Sequence, residues 1–496
     1  MQFSVSHRAA FLLGCFFACM ASFCTQPAQA ALSISTGKTS HMTCSNGVCQ
    51  ATAYDAVLNV GSLKKMLKQS DVIVESEAHT AQDIELDAAL VSKGGNTLTF
   101  DAYSSLIFNK PFTVPGDGGL TINTNQGKQG GDYRFAQGAY VKFEGNNDHL
   151  VINGNTFYLV KKFEDLKHRR VAFFALANDL DLSGHIYKKT PFDHPGETLE
   201  GLGHTISNFT LTATGSGGTV AMYKIASGDI TYYAIRDIAL TSVNITGGDN
   251  QIIAALVGQV SNAIIENVSV TGTISGGSGS TIGGVVGTDM FGVIQNASSA
   301  ATVTGGDGAK NVGGLVGYFA GECDAQCLGQ LSSSFSVGPV SGGAGASVGG
   351  VIGENSGAQI LNSYALGPVG GGSNSFVGGL AGTQSVDPNG DNAPPSMSTS
   401  YSTATVTGGS GATLGGVIGR DVSNATNASS YWDLDTSDIS NPAQGAGNIA
   451  NDPGLIGLSD AQLQSGLPSG FNPNIWVQSE SINNGYPYLI ANPPPQ

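Results

Sequence analysis

The sequence has 496 residues, of which 71 are glycine and only 12% are charged, and its formal net charge is −16. The acidic balance excludes nucleic acid and anionic membrane surfaces as partners, because both require basic patches. An apolar content of 40% is too high for a disordered chain. Abundant glycine with few charges is typical of short, uncharged strands that are joined by many tight corners.

Residues 1–30 have the pattern of a secretory signal peptide. An apolar run at residues 9–23 follows a short charged stretch, and Ala28-Gln29-Ala30 supplies the small residues of a cleavage site. Leu12-Leu13-Gly14-Cys15 is similar to a lipobox, but the apolar run continues past it, which favours ordinary cleavage over a lipid anchor. No later stretch approaches ~20 apolar residues, so we expect no membrane span in the mature chain.

Removal of the signal peptide leaves four cysteines, Cys44, Cys49, Cys323 and Cys327, in an oxidising compartment. Four cysteines allow three connectivities, and their proximity in sequence favours Cys44 with Cys49 and Cys323 with Cys327. Export favours oxidation, so disulfides are favoured over a metal site.

We predict an amino-terminal cap and an irregular β-helical segment for residues 31–160, followed by a transition segment at residues 161–205. A brief helix is expected at residues 62–68, and a charged helix at residues 163–170 breaks the strand pattern. Short strands are predicted at residues 98–102, 105–108, 120–124 and 150–153, because β-branched and aromatic residues alternate there with polar ones.

Residues 206–436 contain a repeated phrase, which is the most informative signal in the sequence. It consists of an aliphatic residue, two glycines, two apolar residues and a third glycine, as in Val312-Gly313-Gly314-Leu315-Val316-Gly317. A degenerate copy with Ala254 and Ala255 precedes five full copies, and successive copies are 29, 30, 36, 29 and 37 residues apart. The glycine pairs are Gly283 and Gly284, Gly313 and Gly314, Gly349 and Gly350, Gly378 and Gly379, and Gly415 and Gly416.

A second phrase keeps the same spacing and carries Asn208, Asn267, Asn296 and Asn362 at one repeat position. Stacked side-chain amides at such a position can hydrogen-bond along the axis of the repeats. Asp237, Ser333 and Thr399 stand at the same position and are expected to interrupt this ladder. Two phrases in register predict a structure in which each repeat lies on its own counterpart.

Two insertions explain the long spacings. They lie at residues 322–328 and 386–396, just after the glycine phrase in both cases. Insertions at one point of a repeat map to one edge of the structure. We expect these loops either to contact a partner or to be tolerated surface extensions.

Each repeat is predicted to form strands, because short runs of Val, Ile, Leu, Thr and Tyr are bounded by Gly, Ser and Asn. Residues 268–274 alternate apolar and small polar side chains, so one face can point inward. Stacking repeats at roughly 4.8 Å pairs each strand in parallel with its counterpart and buries that face. The sequence therefore predicts an all-β fold, a parallel β-helix with coils of about 29–30 residues and short capping helices.

The glycine pairs are predicted to be corners of this fold, where a missing Cβ permits positive φ and close approach between neighbouring coils. Residues 437–496 are rich in Gly, Asn and Pro and include a predicted helix at residues 459–464. We expect this segment to cap the last coil and then to fray.

The glycine phrase resembles the GLUG motif of large bacterial surface proteins. Residues 174–184 and 199–208 resemble the entry segments of such arrays, and residues 98–124 are similar to filamentous-haemagglutinin-type exoproteins. The resemblance covers residues 174–432 and implies export, a right-handed β-helix and a surface role, often in adhesion. It also implies an adhesin-like protein that binds a host glycan or matrix protein, and a separate outer-membrane transporter as a partner.

Parallel β-helices also carry polysaccharide lyases and hydrolases, so an enzyme is the alternative hypothesis. Such sites need paired carboxylates, or acidic residues beside a basic one. Between residues 241 and 430 the only basic side chains are Lys310 and Arg420, and Asp289, Asp307 and Glu354 occur singly, as expected for solvated turn residues. The sequence therefore predicts a non-enzymatic protein without catalytic residues, cofactor or metal. A cluster of Asp, Glu, Arg and His on one face would favour the enzyme.

Overall fold

The computed structural model describes residues 31–92, 94–167, 172–228, 233–321, 329–386 and 394–494, without the side chain of Thr426. The described chain is all-β, and most of its strand pairs are parallel. It contains two short α-helices, α1 (Val60–Leu67) and α2 (Asp460–Gln464), and 3₁₀ segments at Phe163–Lys167 and Asn483–Gly485. In these ranges no helix has both the length and the apolar character needed to cross a membrane.

The amino-terminal region, residues 31–160, contains three sheets. The first contains, from edge to edge, Tyr133–Phe135, Leu106–Phe108, Asp83–Leu86, Ala31–Ser35 and Val57–Asn59, and the second contains Val141–Phe143, Phe112–Val114 and Leu90–Val91. The third contains, in parallel, Val48–Ala51, Val72–Glu75, Thr97–Asp101, Gly119–Asn123 and His149–Ile152, with Met42–Ser45 and Asn155–Val160 antiparallel at its edges.

The four strands predicted in this region are present, each within one residue of its expected bounds. Alternation explains them: Leu98 and Phe100 pair with Leu120 and Ile122 and are fully buried, whereas the residues between them are half-buried. Helix α1 begins two residues earlier than predicted, because the Asn59 side chain accepts a hydrogen bond from the backbone N–H of Ser62 and caps it.

The transition segment connects this region to the repeats. Asn155–Val160 pairs in parallel with Phe173–Leu176, which begins the largest sheet. The charged helix predicted at residues 163–170 is a 3₁₀ helix over Phe163–Lys167, and residues 168–170 lie outside the described chain. Phe163 and Leu166 of this helix are buried, so it covers the end of the repeat core.

Three further sheets, here called sheets 1, 2 and 3, run along the repeats. Sheet 1 contains Thr219–Val220, Ile252–Ile253, Thr281–Gly283, Asn311–Gly313, Ser347–Gly349, Phe376–Gly378 and Thr413–Gly415. Sheet 2 contains Tyr223–Ser227, Val257–Ser261, Val286–Met290, Val316–Ala320, Ile352–Ser356, Ala381–Ser385 and Ile418–Asp421.

Sheet 3 consists of three sets of parallel strands, here called its first, second and third runs. The long strands Ala234–Gly247 and Ile264–Gly276 pass through all three runs. The first run contains Phe173–Leu176, Thr198–Glu200, Val293–Gln295, Gln330–Ser332, Gln359–Leu361, Ser396–Ser398 and Thr426–Ala428. The second contains Leu180–Asp181, Thr205–Ser207, Ser298–Ser299, Phe335–Ser336, Tyr364–Ala365, Tyr401–Ser402, Ser430–Asp433 and Leu455–Leu458. The third contains Ile186–Tyr187, Thr210–Ala213, Thr302–Gly305, Val340–Gly342, Val369–Gly371 and Val406–Gly408.

In these sheets each repeat pairs with its own counterpart. Ile253 pairs with Ile282, which pairs with Val312, and all three are fully buried. The chain passes through sheets 1, 2 and 3 in turn and returns to the same register one repeat later, so its inward side chains form one continuous core. The arrangement is compatible with a β-helix-like solenoid.

The carboxy-terminal segment does more than cap the last repeat. Leu455–Leu458 pairs with Ser430–Asp433, but the residues after it then fold back along the outside of sheet 3. They cover a column of stacked rings, Phe335, Tyr364 and Tyr401, whose centroids are 4.8 and 5.2 Å apart. The expectation that this segment frays is therefore wrong for its described part, because Phe471, Trp476, Tyr486 and Leu489 are buried against that column.

Candidate functional site

The glycine pairs lie where the backbones of neighbouring repeats come closest. A Cβ atom on Gly314 would stand 2.1 Å from the carbonyl oxygen of Gly350, and one on Gly284 would stand 2.0 Å from that of Gly314. The prediction of positive φ is wrong, because none of the ten glycines adopts it. The pairs are required by close packing alone. Gly350 and Gly379 meet the carbonyl oxygen of the next repeat in the same way, within 2.3 Å, whereas Gly416 meets the ring of Trp432 at 2.3 Å. The first glycine of each pair meets the carbonyl oxygen three residues later in its own repeat, within 2.1 Å, at Gly283, Gly313, Gly349, Gly378 and Gly415.

The asparagine column has a different cause from the one predicted. Asn208, Asn267, Asn296 and Asn362 all have positive φ, a conformation that asparagine tolerates better than most residues. Asp237, Ser333 and Thr399 share it, so they do not interrupt the column. The amides bond to side chains of neighbouring repeats and not in a continuous amide ladder. Asn208 donates to Asp181, Asn267 donates to Asp237, and Thr399 donates to Asn362.

One of the two predicted cysteine pairs lies in the described chain. Cys44 and Cys49 face each other across the hairpin of Met42–Ser45 and Val48–Ala51, with their Sγ atoms 2.04 Å apart. Cys323 and Cys327 lie outside the described residues, as does most of the second insertion. The described strands that precede the two insertions, Val316–Ala320 and Ala381–Ser385, both belong to sheet 2.

A cluster of charged side chains lies where the amino-terminal region meets the repeats. The Arg236 guanidinium lies 2.8 Å from the carboxylate of Asp132 and 3.1 Å from that of Asp237. Its Nη2 is also 3.7 Å from Glu266. We call these residues, with Tyr133 and Glu200, the Arg236 cluster.

Tyr133 closes this cluster from the amino-terminal side. Its hydroxyl donates to Glu200 at 2.6 Å, and the Arg236 guanidinium lies 4.5 Å from the centre of its ring. Burial, together with the neighbouring Asp237, raises the pKa of Glu200, and burial likewise raises the pKa of Glu266. The cluster has the composition that we expected of an enzyme, but Glu200 is fully buried. Its geometry is that of a clamp between the two regions.

A column of buried polar residues lies on sheet 2. Asp289 is fully buried, although a solvated turn residue was expected, and that expectation is wrong. It accepts a hydrogen bond from the backbone N–H of Gly292 at 2.8 Å. Burial raises the pKa of Asp289 to about 8. Asn355, two repeats further along the same column, accepts the equivalent bond from Ala358 at 3.0 Å and also donates back to its carbonyl.

An open groove of about 520 Å³ lies outside the first repeat. It forms because sheet 1 begins only at Thr219–Val220, so no described strand of that sheet precedes this one. The preceding segment supplies the Thr190 hydroxyl instead, which donates to the carbonyl of Thr219 at 2.6 Å.

We call this feature the lysine groove. It is lined by Lys188, Lys189, Thr190, Thr212, Ala213, Thr214, Gly215, Gly217, Gly218, Thr219 and Gln251. Both lysines are exposed and follow directly after the strand Ile186–Tyr187. Gln251 is buried, accepts from the N–H of Gly248 and donates to the carbonyl of Gly217, and so fixes one wall.

The groove was not predicted from the sequence. Its signal was the uneven distribution of basic residues, since seven of the 21 lysines and arginines lie between residues 161 and 189. The described residues contain no group of three or more His, Cys, Asp or Glu side chains that could hold a metal ion.

Comparisons with known proteins give little further information. No protein-family model matches the chain, and no curated protein matches it. A solved structure from Bacteroides ovatus, described as a putative immunoglobulin A1 protease, is similar over 68% of this chain and 93% of its own length. The sequence identity is 19% and the TM-score is 0.45.

This finding corrects one prediction. The chain was predicted not to be an enzyme, and that exclusion is withdrawn, because a structure similar to it is described as a putative immunoglobulin A1 protease. At this TM-score the similarity carries no argument about what this chain itself does.

Proposed function

We propose that the chain is an exported surface or secreted binding protein of the adhesin-like, GLUG-repeat type. Its scaffold is a right-handed parallel β-helix with coils of about 29–30 residues. The in-register pairing of sheets 1, 2 and 3 supports this scaffold, and right-handed crossovers are the rule between parallel strands. The ligand is a host or environmental glycan or matrix protein, and a separate outer-membrane transporter is the export partner.

The observation that carries this proposal is the lysine groove. Ligand sites are concave and are held in place by a rigid scaffold. The groove meets both conditions, because its walls are parts of strands and of a corner fixed by the buried Gln251. Its two adjacent lysines lie on a chain whose formal net charge is −16.

The test is binding of residues 31–496 to an array of host glycans and matrix proteins. Gly215→Phe blocks the groove without strain, because the glycine has ordinary φ and open space at its Cβ position. Gly116→Phe is the matched control, since Gly116 has the same open space elsewhere. We expect the wild type and the control to bind a common set of ligands and Gly215→Phe to lose them. The absence of any ligand, or equal binding by all three proteins, would contradict the proposal.

A second candidate function is cleavage of a polysaccharide at the Arg236 cluster. The observation that favours it is a set of carboxylates around one arginine, of which Asp132 is about half exposed and Glu266 is partly exposed. The test is the release of reducing ends from polygalacturonate. Glu266→Gln should abolish release without lowering the melting temperature, and a wild type that releases none would eliminate this candidate.

A further inference from the structure

We propose that the lysine groove binds an anionic glycan, a sugar chain that bears carboxylate or sulfate groups. This inference rests on the proposed function, since it names the ligand of the same groove. Its basis is the combination of charge, shape and lining that the groove presents.

The charge of the groove is opposite to that of the protein. Lys188 and Lys189 lie side by side in it, and none of the lining residues that the structure describes carries a carboxylate. The nearby Asp249 carboxylate accepts a hydrogen bond from the backbone N–H of Ser278, one repeat further from the groove. The lysines therefore attract anions locally, and charge-assisted hydrogen bonds to carboxylate or sulfate oxygens are stronger than neutral ones.

The overall charge selects against larger polyanions. A net charge of −16 repels nucleic acids and anionic membranes, which extend far beyond a single groove. A volume of about 520 Å³ is within the ordinary range for a small-ligand site. Because the groove is open on its outer side, a short anionic oligosaccharide can enter it.

The lining favours recognition of charge over recognition of a sugar face. Among its described residues there is no aromatic ring on which a neutral sugar could stack, while threonines and glycine backbone supply hydrogen-bonding groups. Gly215, Gly217 and Gly218 have open space at their Cβ positions, so ligand atoms can approach the backbone closely. Binding should therefore depend on the anionic groups and weaken as salt is added.

The test is calorimetric titration of residues 31–496 with four probes: an oligogalacturonate tetrasaccharide, a heparin tetrasaccharide, maltotetraose and sodium sulfate. We expect at least one anionic tetrasaccharide to bind, at least tenfold more tightly than maltotetraose or sulfate. Lys188→Glu with Lys189→Glu should weaken that binding at least tenfold. Lys38→Glu with Lys310→Glu makes the same change in net charge at exposed positions outside the groove and should leave binding within twofold.

The outcomes separate the two proposals. If the array identifies a neutral glycan or a matrix protein whose binding Gly215→Phe abolishes, the binding function stands and the anionic ligand is wrong. If an anionic tetrasaccharide binds equally to the wild type and to the Lys188 and Lys189 double variant, the groove is not its site. Tight binding of sulfate alone would also overturn the inference, because it would show an ion site without recognition of sugar.

Discussion

The repeats and the amino-terminal region bury similar strands by different means. In the repeats, Gly314 lies against Gly350, so the same small residue recurs wherever backbones touch. In the amino-terminal region large rings fill the space, and Phe108 contacts Phe100 edge-on at 6.0 Å and stacks on Phe135 at 4.9 Å. In the repeats, the recurring glycines therefore mark positions where no side chain can be added. In the amino-terminal region, the rings mark positions where a large side chain is needed to fill the space.

The Arg236 cluster joins the two regions and gives the largest expected effect. Arg236→Met leaves the buried carboxylates of Glu200 and Asp237 without their cation, which should cost about 3–5 kcal/mol of unfolding free energy. Denaturant unfolding of residues 31–496 measures it. Arg134→Met, at the exposed arginine that follows Tyr133 in the strand Tyr133–Phe135, should cost less than about 0.5 kcal/mol. Equal losses in the two variants would show that the cluster does not clamp the regions together.

The glycine pairs provide the next largest effect. Gly314→Ala places a Cβ atom 2.1 Å from the Gly350 carbonyl oxygen, and separating the two repeats should cost about 2–4 kcal/mol. Gly306→Ala, in a turn of the same repeat, has its nearest neighbour at 3.5 Å and should be nearly neutral. Thermal unfolding of both variants decides the matter. A tolerated Gly314→Ala would mean that neighbouring repeats are further apart than described.

Asp289 should make the repeats sensitive to pH. Its pKa is about 8 when folded and near the ordinary value of 3.8 when unfolded, so the folded chain holds the proton more tightly. The stability that this bound proton provides is complete below about pH 4 and is lost as the pH rises through 8. Asp289→Asn removes this loss, so the variant should be more stable than the wild type at pH 8 and about as stable as the wild type at pH 4.

The matched variant for this effect is Asn355→Asp, at the equivalent position of a later repeat. It should introduce the same decline in stability between pH 4 and pH 8. Unfolding measured across this range tests both variants, and parallel pH profiles for the wild type and Asp289→Asn would contradict the assignment.

Thr399 gives the smallest effect. It is a β-branched residue with a φ of 47°, at a position where other repeats carry asparagine. Thr399→Asn should raise the unfolding free energy by about 1 kcal/mol, because asparagine tolerates this conformation and can still donate to Asn362. Asn296→Thr is the reverse change and should destabilise by a similar amount. Melting temperatures of the two variants that shift in the same direction would refute this explanation.

The sequence was sufficient to predict the all-β class and the register of the repeats, because each repeat meets its own counterpart. It was also sufficient to predict the close backbone approach at Gly313 and Gly314. It did not determine the sign of φ at these residues, because glycine adopts positive and negative φ about equally well. Burial of Asp289 was missed because a single carboxylate gives no sign that it lies in the strand Val286–Met290 and is buried there. The fold-back of residues after 458 was missed because contacts such as that of Trp476 with Tyr401 join positions far apart in the chain.

The candidate site could not be predicted from the sequence either. The pair Lys188 and Lys189 was visible in the sequence. The groove, however, depends on sheet 1 having no described strand before Thr219–Val220, which only the three-dimensional path of the chain determines. A glycine-rich turn that lines a groove also has the same composition as a glycine-rich turn that does not.

The most direct test of the account is a disulfide placed between neighbouring repeats. Thr304 and Ser341 pair in register on the outer surface of sheet 3, with their hydroxyls 3.4 Å apart. Thr304→Cys with Ser341→Cys should therefore oxidise to an intramolecular disulfide, detected by mass spectrometry of proteolytic fragments. Thr302→Cys with Ser341→Cys, two residues out of register, should form far less. Equal yields from the two pairs, or none from the first, would contradict a scaffold of repeats stacked in parallel register.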